Sequence, residues 1–202
     1  MLSDSETPSV IGSRSIVRGA KVWLRAFEET DLDAYQSAVN DIDVAYWAGY
    51  VAPQSSARIR DWYESRVRPQ HGKDAYFFVI SPLGSRDFMG TIWLWNFDSR
   101  LGGAELSLFI ADPFHWGKGA GTDAVNALVD FAFGFLTISR IWLYTSVENE
   151  RAKHAFEKAG FLVEGKIRGH HIRRGKTFDS YQMSILRTDW ESLDRLRSWE
   201  YK

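Results

Sequence analysis

Residues 112–124 read DPFHWGKGAGTDA, and this glycine-rich stretch decides the fold. Gly117, Gly119 and Gly121 alternate directly before a segment, Asp123 to Leu136, whose apolar residues recur at helical spacing. Glycines let a backbone approach a ligand closely, and the start of a helix offers free N–H groups and about half a positive charge. The stretch therefore predicts a loop and a helix start that bind a pyrophosphate through the backbone.

Two other kinds of phosphate-binding loop contain similar glycines. A Walker A loop needs a Lys-Ser/Thr pair after its glycines, whereas Lys118 lies between them, so the spacing disfavours a kinase or an ATPase. The spacing Gly119-x-Gly121-x-x-Ala124 fits the relaxed dinucleotide fingerprint. That fingerprint also needs an acidic residue at the end of a second strand about twenty positions later, and the sequence has none there. Dinucleotide binding is therefore the weaker alternative.

On both sides of the loop, the sequence predicts the strands and helices of one α+β domain. The predicted strands are 21–25, 75–80, 88–97, 104–111, 141–146, 161–172 and 177–186, and the predicted helices are 31–40, 55–67, 123–136, 149–159 and 189–199. Residues 1–19 are expected to be a flexible leader. Residues 20–202 are expected to form a single domain, because no repeat or linker interrupts 20–187.

The composition excludes several kinds of chemistry and of partner. The 202 residues include no cysteine, which excludes disulfides, thiolate metal sites and a cysteine nucleophile. Lys and Arg number 25 against 26 Asp and Glu, so no net field attracts nucleic acid or an anionic membrane. The N-terminus lacks a signal-peptide pattern, and no apolar run approaches the ~18 residues of a membrane span. We therefore expect a cytoplasmic protein with no nucleic-acid or membrane partner.

The loop lies among other recognisable blocks. Residues 116–121, WGKGAG, follow the pattern Q/R-x-x-G-x-G/A with tryptophan in the first place. Residues 149–161, NERAKHAFEKAGF, follow N-x-x-A-x-x-x-Y-E-K-x-G-F with phenylalanine for tyrosine, and residues 22–35 follow an opening L-R-x-x-x-x-x-D signature. In this order the blocks resemble the GNAT superfamily of N-acetyltransferases. The resemblance is nearest to its ribosomal-protein-alanine and spermidine acetyltransferase-like branch.

The resemblance implies a fold and a reaction. The GNAT fold has α/β/α layers with a mixed, mostly antiparallel central sheet, and it binds acetyl-CoA in the cleft between central strands. The reaction implied is direct transfer of an acetyl group, or another short acyl group, from CoA to the primary amine of a small molecule or peptide. A protein N-terminus, a polyamine, an amino sugar and an aminoglycoside-like amine stay open as acceptors. A catalytically idle sensor or scaffold that binds acetyl-CoA is the alternative.

The same resemblance implies which residues contact the cofactor. The backbone N–H groups of Phe109 and Ile110 would polarise the thioester carbonyl. The other implied contacts are Trp116, Gly117, Lys118, Gly119, Ala120, Gly121, Thr122, Asn149 and Phe156. Asn149 fits the N-cap of the following helix equally well. Basic residues that would meet the phosphates are Lys118, Arg151, Lys153 and Lys158.

The catalytic residues are predicted less directly. Phe156 stands where many family members carry a tyrosine that protonates the leaving thiolate, so Ser146, Tyr144 or water would have to supply that proton. Glu105, at the start of the strand before the loop, is predicted as a base or as a residue that positions water, or else as a salt-bridged surface glutamate. Asp179 resembles an aspartate near the family's acceptor site, or is ordinary strand polarity.

Tyr46 and Trp47 lie between the two predicted early helices, where this fold varies its acceptor pocket. Their rings would stack on a substrate or close over it, unless they only pack in the core. The histidines of the chain lack the spacing of metal ligands on a helix, so no metal site is expected. Edge strands and exposed tryptophans would suit a homodimer.

Overall fold

Seven strands form one sheet in the computed structural model, which describes residues 11–12 and 14–201. The strands are β1 Val22–Ala26, β2 Tyr76–Pro82, β3 Gly90–Asp98, β4 Gly103–Ile110, β5 Arg140–Ser146, β6 Leu162–Arg173 and β7 Lys176–Leu186. Their order across the sheet is β1-β2-β3-β4-β5-β7-β6, and every neighbouring pair is antiparallel except β4 and β5. The mixed, mostly antiparallel sheet predicted from the sequence is confirmed.

Helices cover both faces of this sheet. They are α1 Leu32–Asn40, α2 Ile42–Ala48, α3 Ser56–Trp62, α4 Arg68–Gln70, α5 Ala120–Phe135, α6 Glu150–Lys158 and α7 Arg187–Glu191. One core joins Leu106 of the sheet to Leu128 of α5, and a second joins Phe109 to Tyr35 of α1 and Ile59 of α3. The α/β/α layering is therefore present. None of the described helices is long and apolar enough to cross a membrane.

The strands β4 and β5 diverge in the centre of the sheet. They pair only at residues 103–105 and 140–142, whereas β4 stays paired with β3 as far as Ile110. Beyond Glu105, one edge of β4 therefore has backbone N–H and C=O groups without a strand partner, and such groups need other hydrogen-bonding partners. The divergence opens a cleft toward the carboxyl ends of both strands.

Asp123, in the first turn of α5, ties the glycine-rich loop to β1. Its Oδ1 accepts the N–H of Ala20 at 3.0 Å, and its Oδ2 accepts those of Lys21 and Val22 at 2.8 and 3.0 Å. An ionised carboxylate has enough lone pairs for three donors. This one side chain therefore fixes the start of β1 relative to the start of α5.

We expect Asp123→Asn to lower the free energy of unfolding by about 2 kcal/mol, because an amide keeps one acceptor oxygen and turns N–H donors toward the remaining amides. Urea denaturation measures the change, with Asp33→Asn as the control. Asp33 is an exposed carboxylate that also lies in the first turn of a helix. Equal losses of stability in the two variants would contradict the anchoring role of Asp123.

The sequence prediction omits α2, which has clear signals at both of its ends. The Asp41 carboxylate accepts the N–H groups of Asp43 and Val44, both at 3.0 Å, which is an N-cap. Gly49 ends the helix in the left-handed conformation, with φ of 83°. The helix has only seven residues and one buried side chain, Val44, so its apolar periodicity is too weak to predict it.

The predicted C-terminal helix 189–199 is wrong beyond its first turn, since α7 ends at Glu191. The buried carboxylate of Asp130, in α5, explains the difference. It accepts the indole N–H of Trp190 at 2.7 Å, both terminal nitrogens of Arg195 at 2.7 and 2.8 Å, and the backbone N–H of Ser198 at 2.9 Å. These bonds fold the tail around one carboxylate, which a straight helix would not allow.

Part of the expected leader, residues 1–10 and 13, lies outside the described residues. Nearer to the domain, Val17 is buried, and its carbonyl accepts the N–H of Leu24 at 2.8 Å. The chain therefore packs against β1 before the boundary expected at residue 20.

Candidate active site

The cleft between β4 and β5 continues into a cavity of about 490 Å³, which we call the loop cavity. The glycine-rich loop, β4, α5 and α6 form its walls. Of the predicted cofactor contacts, those that line it are Phe109, Ile110, Trp116, Gly117, Gly119, Gly121, Thr122, Asn149 and Phe156. Lys118 and Ala120 do not line it, because the Lys118 side chain lies over the Phe114 ring and Ala120 is buried in the core.

The backbone of the loop depends on glycine at two positions. Gly117 and Gly119 have φ of 72° and 88°, a left-handed region in which side chains are strained. Lys21 fixes the same turn from β1, because its Nζ donates to the Lys118 carbonyl at 2.9 Å. The first turn of the sixteen-residue α5 follows directly, so its free N–H groups lie at the mouth of the loop cavity, where they suit an anion.

The Trp116 side chain links the glycine-rich loop to β4 and to α6. Its Nε1–H donates to the Ile110 carbonyl, at the end of β4, at 3.0 Å. The guanidinium carbon of Arg151 lies 3.9 Å from the centre of the Trp116 ring, a contact in which the π electrons attract the cation. Arg151 lines the loop cavity. Tryptophan in the first place of the motif thus presents an arginine from α6 to this cavity.

The basic residues of the loop cavity differ from those predicted. Lys21, Arg151 and Lys158 line it. Lys118 instead packs on an aromatic ring just before the loop, and Lys153 pairs with a glutamate of its own helix at 2.9 Å. Of the predicted basic residues, Arg151 and Lys158 line the cavity and stay predicted phosphate contacts, whereas Lys118 and Lys153 do not line it. Lys21 lines it and was not predicted.

The open edge of β4 presents the N–H groups of Leu108 and Ile110. The Phe109 carbonyl points the other way, toward β3, because a Cβ added to Gly90 would lie 2.2 Å from it. In an antiparallel strand the N–H and C=O groups of one residue point to the same edge, and successive residues alternate between the two edges. Leu108 and Ile110, on either side of Phe109, therefore face the cleft. The N–H group of Phe109 therefore does not face the cleft as predicted, whereas those of Leu108 and Ile110 do.

A second cavity, of about 430 Å³, adjoins the first. We call it the hairpin cavity, because His170, His171 and Arg173 from the β6–β7 hairpin line it. Residues that line both cavities are Trp47, Ala48, Leu108, Phe109, Asn149, Ala152 and Phe156. Groups bound in the two cavities would therefore meet beside Phe156 and Asn149.

Glu105 lines the hairpin cavity at the last position where β4 pairs with β5. Its carboxylate is half-buried, and its Oε2 accepts the Nδ2–H of Asn96 at 3.2 Å. Within the described part of the chain no lysine or arginine forms an ion pair with it. The salt-bridged alternative therefore fails, and the carboxylate keeps lone pairs for an ammonium group.

Asp179 lies outside both cavities. Its Oδ1 accepts the Gly169 N–H at 2.9 Å, and its Oδ2 pairs with Lys166 Nζ at 2.9 Å. The bond from Gly169, followed by the charge and bond of Lys166, lowers the pKa of this carboxyl. These contacts hold an irregular stretch of β6 against β7. Asp179 therefore supports the hairpin, and the structure does not bring it beside Glu105.

Of the two residues of α2 that were predicted to bind the acceptor, only one lines a cavity. Trp47 lines both cavities, whereas Tyr46 lines neither. The two rings meet edge to face with centres 4.9 Å apart. The guanidinium carbons of Arg173 and Arg174 lie 5.3 and 5.0 Å from the Tyr46 ring centre. Tyr46 therefore joins α2 to the hairpin, behind Trp47.

Polar groups at and just after the end of β5 line the hairpin cavity together with Phe156. Asn149 caps α6, because its Oδ1 accepts the Ala152 N–H at 3.2 Å, and it also lines both cavities, so both of its predicted roles fit. Ser146 is 3% exposed and lines the hairpin cavity, and its Oγ has no hydrogen-bond partner among the described residues. Tyr144 lines the same cavity from a more exposed position.

Comparison with protein families identifies this arrangement. A family profile for the acetyltransferase (GNAT) domain matches residues 21–162, which is more than half of the chain. The protein belongs to the GNAT acetyltransferase family. The resemblance found in the sequence is confirmed, and the protein is an N-acetyltransferase that takes its acyl group from acetyl-CoA.

Relatives of this GNAT enzyme align over most of its length. It is 36% identical over 175 residues to the putative ribosomal N-acetyltransferase YdaF of Bacillus subtilis, covering 84% of this chain and 93% of the relative. It is 27% identical over 173 residues to the spermidine N(1)-acetyltransferase of Vibrio cholerae, covering 85% and 96%. The crystal structure of a spermidine N-acetyltransferase from Vibrio cholerae in complex with CoA and spermine has a TM-score of 0.76 at 26% identity, covering 85% of this chain and 98% of that one.

The loop cavity of the GNAT enzyme fits acetyl-CoA. The left-handed turns at Gly117 and Gly119 leave a backbone cradle that a side chain would distort. This cradle, the start of α5 and the cations Lys21 and Arg151 would hold the phosphates. The unpaired β4 edge would hold the acyl end, since backbone N–H groups there have no strand partner.

Sequence reasoning missed several residues of the site. Lys21, just before β1, lines the loop cavity, and Arg173, at the end of β6, lines the hairpin cavity, and both are far along the chain from the glycine-rich loop. Tyr50 and Trp93 line the hairpin cavity with Trp47. The only signal for Arg173 was the Arg-Arg-Gly-Lys turn, which predicts a hairpin but not where its side chains point.

Proposed function

We propose that this GNAT enzyme acetylates an acceptor with one positively charged amine, which binds in the hairpin cavity. The observation that carries the proposal is the charge of the cavity. Among the described residues that line it, Glu105 is the one carboxylate and Arg173 the one lysine or arginine. A polyamine such as spermidine, named as the substrate of some relatives, carries several ammonium groups, and Arg173 would repel them. A peptide N-terminus or a small monoamine fits this charge better.

The residues of the chain prepare this amine for attack. Glu105 accepts hydrogen bonds from the ammonium group and takes up its proton directly or through water. Removing that proton at pH 7 costs about 4.6 kcal/mol for a lysine-like amine and about 1.4 kcal/mol for an α-amine. Bound acetyl-CoA supplies a thioester carbonyl as the electrophile. As the C–N bond forms, the C–S bond breaks, and the sulfur takes a proton that Phe156 cannot give.

Thiol release measured with acetyl-CoA and a panel of amines tests this proposal. The panel contains short peptides, amino acids, an amino sugar, an aminoglycoside and spermidine. We expect turnover of a monoamine with a kcat/KM at least about tenfold above that of spermidine, because one cation faces Arg173 less unfavourably than several do. Preference for spermidine would contradict the proposed acceptor. Binding of acetyl-CoA without turnover of any amine would point to the idle sensor that Phe156 allows.

The unpartnered hydroxyl of Ser146 is a candidate donor to the leaving sulfur. We expect Ser146→Ala to lower kcat about tenfold without lowering stability, because Oγ loses no protein partner but would lose a bond to a developing anion. Turnover and thermal unfolding are measured together. The control is Ser107→Ala, since Ser107 lines the same cavity with a hydroxyl already bonded to the Trp95 indole at 3.2 Å. A kcat equal to that of the wild type would leave water as the donor.

The location, oligomeric state and partners of the enzyme stay predictions: a cytoplasmic location, a homodimer, and no nucleic-acid or membrane partner. The features that suit a homodimer are the sheet edges at β1 and β6 and the exposed Trp95 and Trp199. Sedimentation of the enzyme with and without acetyl-CoA tests the homodimer.

A further inference from the structure

We infer that the acceptor carries a carboxylate close to its amine, and that Arg173 binds this carboxylate. The inference rests on the proposed function, in which the acceptor binds in the hairpin cavity beside Glu105. It assigns to Arg173 the role of a specificity-determining residue and makes a free amino acid the class of acceptor.

The hairpin presents Arg173 to the cavity in a defined orientation. Arg173 ends β6, next to the turn formed by Arg174 and Gly175, and it lines the hairpin cavity. Its guanidinium carbon lies 5.3 Å from the Tyr46 ring centre and 5.7 Å from that of Trp47. Two rings of α2 thus pack near the guanidinium and restrict its motion. Such packing leaves the N–H edge of a guanidinium free for hydrogen bonds.

One terminal nitrogen of the Arg173 guanidinium lacks a partner among the residues that the structure describes. This nitrogen, Nη1, is buried and makes no hydrogen bond with any described residue. A charged N–H group that is removed from water without a partner is strongly unfavourable. A planar carboxylate would satisfy this group, because the guanidinium fork and the two carboxylate oxygens match in geometry. A ligand that provides a carboxylate would therefore gain binding free energy at this site.

The other charges of the hairpin cavity define the rest of the ligand. Glu105 lies in the same cavity and has no cation paired with it among the described residues. Burial, followed by the charges of His170 and Arg173, lowers the pKa of His171, which favours the neutral form of this imidazole beside Arg173. One unpaired anion and one unpaired cation in a cavity of about 430 Å³ complement a small zwitterion. The amine would face Glu105, and the carboxylate would face Arg173.

The test compares each amino acid with its C-terminal amide, which keeps the amine and the side chain but removes the negative charge. We expect the wild-type enzyme to release thiol from acetyl-CoA with at least one amino acid at a kcat/KM about ten- to a hundredfold above that of its amide. Arg173→Gln should remove this preference through a higher KM for the amino acid, while the KM of the amide should fall or stay the same because a repelling cation is gone. Arg173→Lys should restore only part of it, because an ammonium lacks the fork.

Arg174→Gln is the matched control. Arg174 also lies against the Tyr46 ring, at 5.0 Å, but it does not line the cavity. It should therefore leave the preference for the carboxylate intact. Acetyl-CoA affinity, measured by calorimetry in each variant, verifies that the fold and the loop cavity are unchanged.

Three results would overturn the inference. The first is equal use of amino acids and their amides, and the second is an equal loss with both in Arg173→Gln. The third is acetylation of other amines but of no amino acid, which leaves the proposed function standing. Failure of the proposed function has a different signature, since then spermidine would be preferred to every monoamine, or no amine of any kind would be acetylated.

Discussion

Glu105→Gln is expected to lower kcat/KM by about a hundredfold or more, since a positioned base contributes roughly 10²- to 10⁴-fold to a proton transfer. Glu105 lines the hairpin cavity, and its carboxylate accepts a hydrogen bond from Asn96 at 3.2 Å and forms no ion pair with a described residue. Glutamine keeps the size of the side chain and an oxygen but cannot take up a proton. Without a base, the rate should follow the fraction of acceptor that is already a free amine.

The pH profile separates a base from a merely structural glutamate. For an α-amine with a pKa of ~8, the rate of the variant should rise about tenfold per pH unit up to that pKa, whereas the wild type should be less steep. The loss should be larger for a lysine-like amine, whose deprotonation at pH 7 costs about 3 kcal/mol more.

Asp179→Asn is the control for the Glu105 variant, because it makes the same change of charge at a carboxylate that lines neither cavity. Its effect on kcat/KM should be small. The variant should instead lower the stability of the β6–β7 hairpin, because Asp179 binds Lys166 and Gly169 there. If Glu105→Gln had the rate and the pH profile of the wild type, Glu105 would be only the partner of Asn96.

The sequence was sufficient for those parts of the site that are continuous in the chain. The loop at 116–121 and the helix after it are local, so glycine spacing and apolar periodicity predict them together. Asn149 is local in the same sense, because an N-cap acts on an amide three residues away. The fold class was implied by the order of the sequence motifs that resemble the GNAT superfamily.

Contacts between distant segments could not be predicted in this way. Asp179 and Glu105 are both carboxylates on strands that flank β5, yet only Glu105 faces a cavity. Asp179 instead accepts a hydrogen bond from the irregular stretch of β6. A shift of one residue turns every side chain of a strand to its other face. The same limit applies to Lys21, which reaches the loop through a hydrogen bond across 97 positions of the chain.

The Phe109 donor shows a second limit. Sequence patterns place side chains on the faces of a strand, but the edge to which each N–H group points depends on the partner strand. The close approach of Gly90 to the Phe109 carbonyl shows that Phe109 faces β3, so the N–H group of Leu108 faces the open edge instead. The direction of a backbone N–H group can be assigned only when the pairing register of the sheet is known.

Gly119→Val is expected to weaken acetyl-CoA binding at least about tenfold, as measured by calorimetry. Gly119 lines the loop cavity with φ of 88°, so any side chain there is strained by roughly 1–3 kcal/mol in the conformation that cradles the phosphates. A Cβ would also lie 3.1 Å from Lys21 Nζ, which donates to the carbonyl of the preceding residue, Lys118. The branched carbons of valine would extend further, into space that the ligand needs.

The control for Gly119→Val must carry the same backbone strain without touching the cavity, and Gly72→Val does so. Gly72 has φ of 79°, and a Cβ there meets nothing within 4 Å. Both variants should lose a similar part of their thermal stability, because both place a branched residue in the left-handed region. Only Gly119→Val should lose affinity for acetyl-CoA. If its affinity were unchanged, or if Gly72→Val lost as much, the glycine-rich loop would not be the phosphate site.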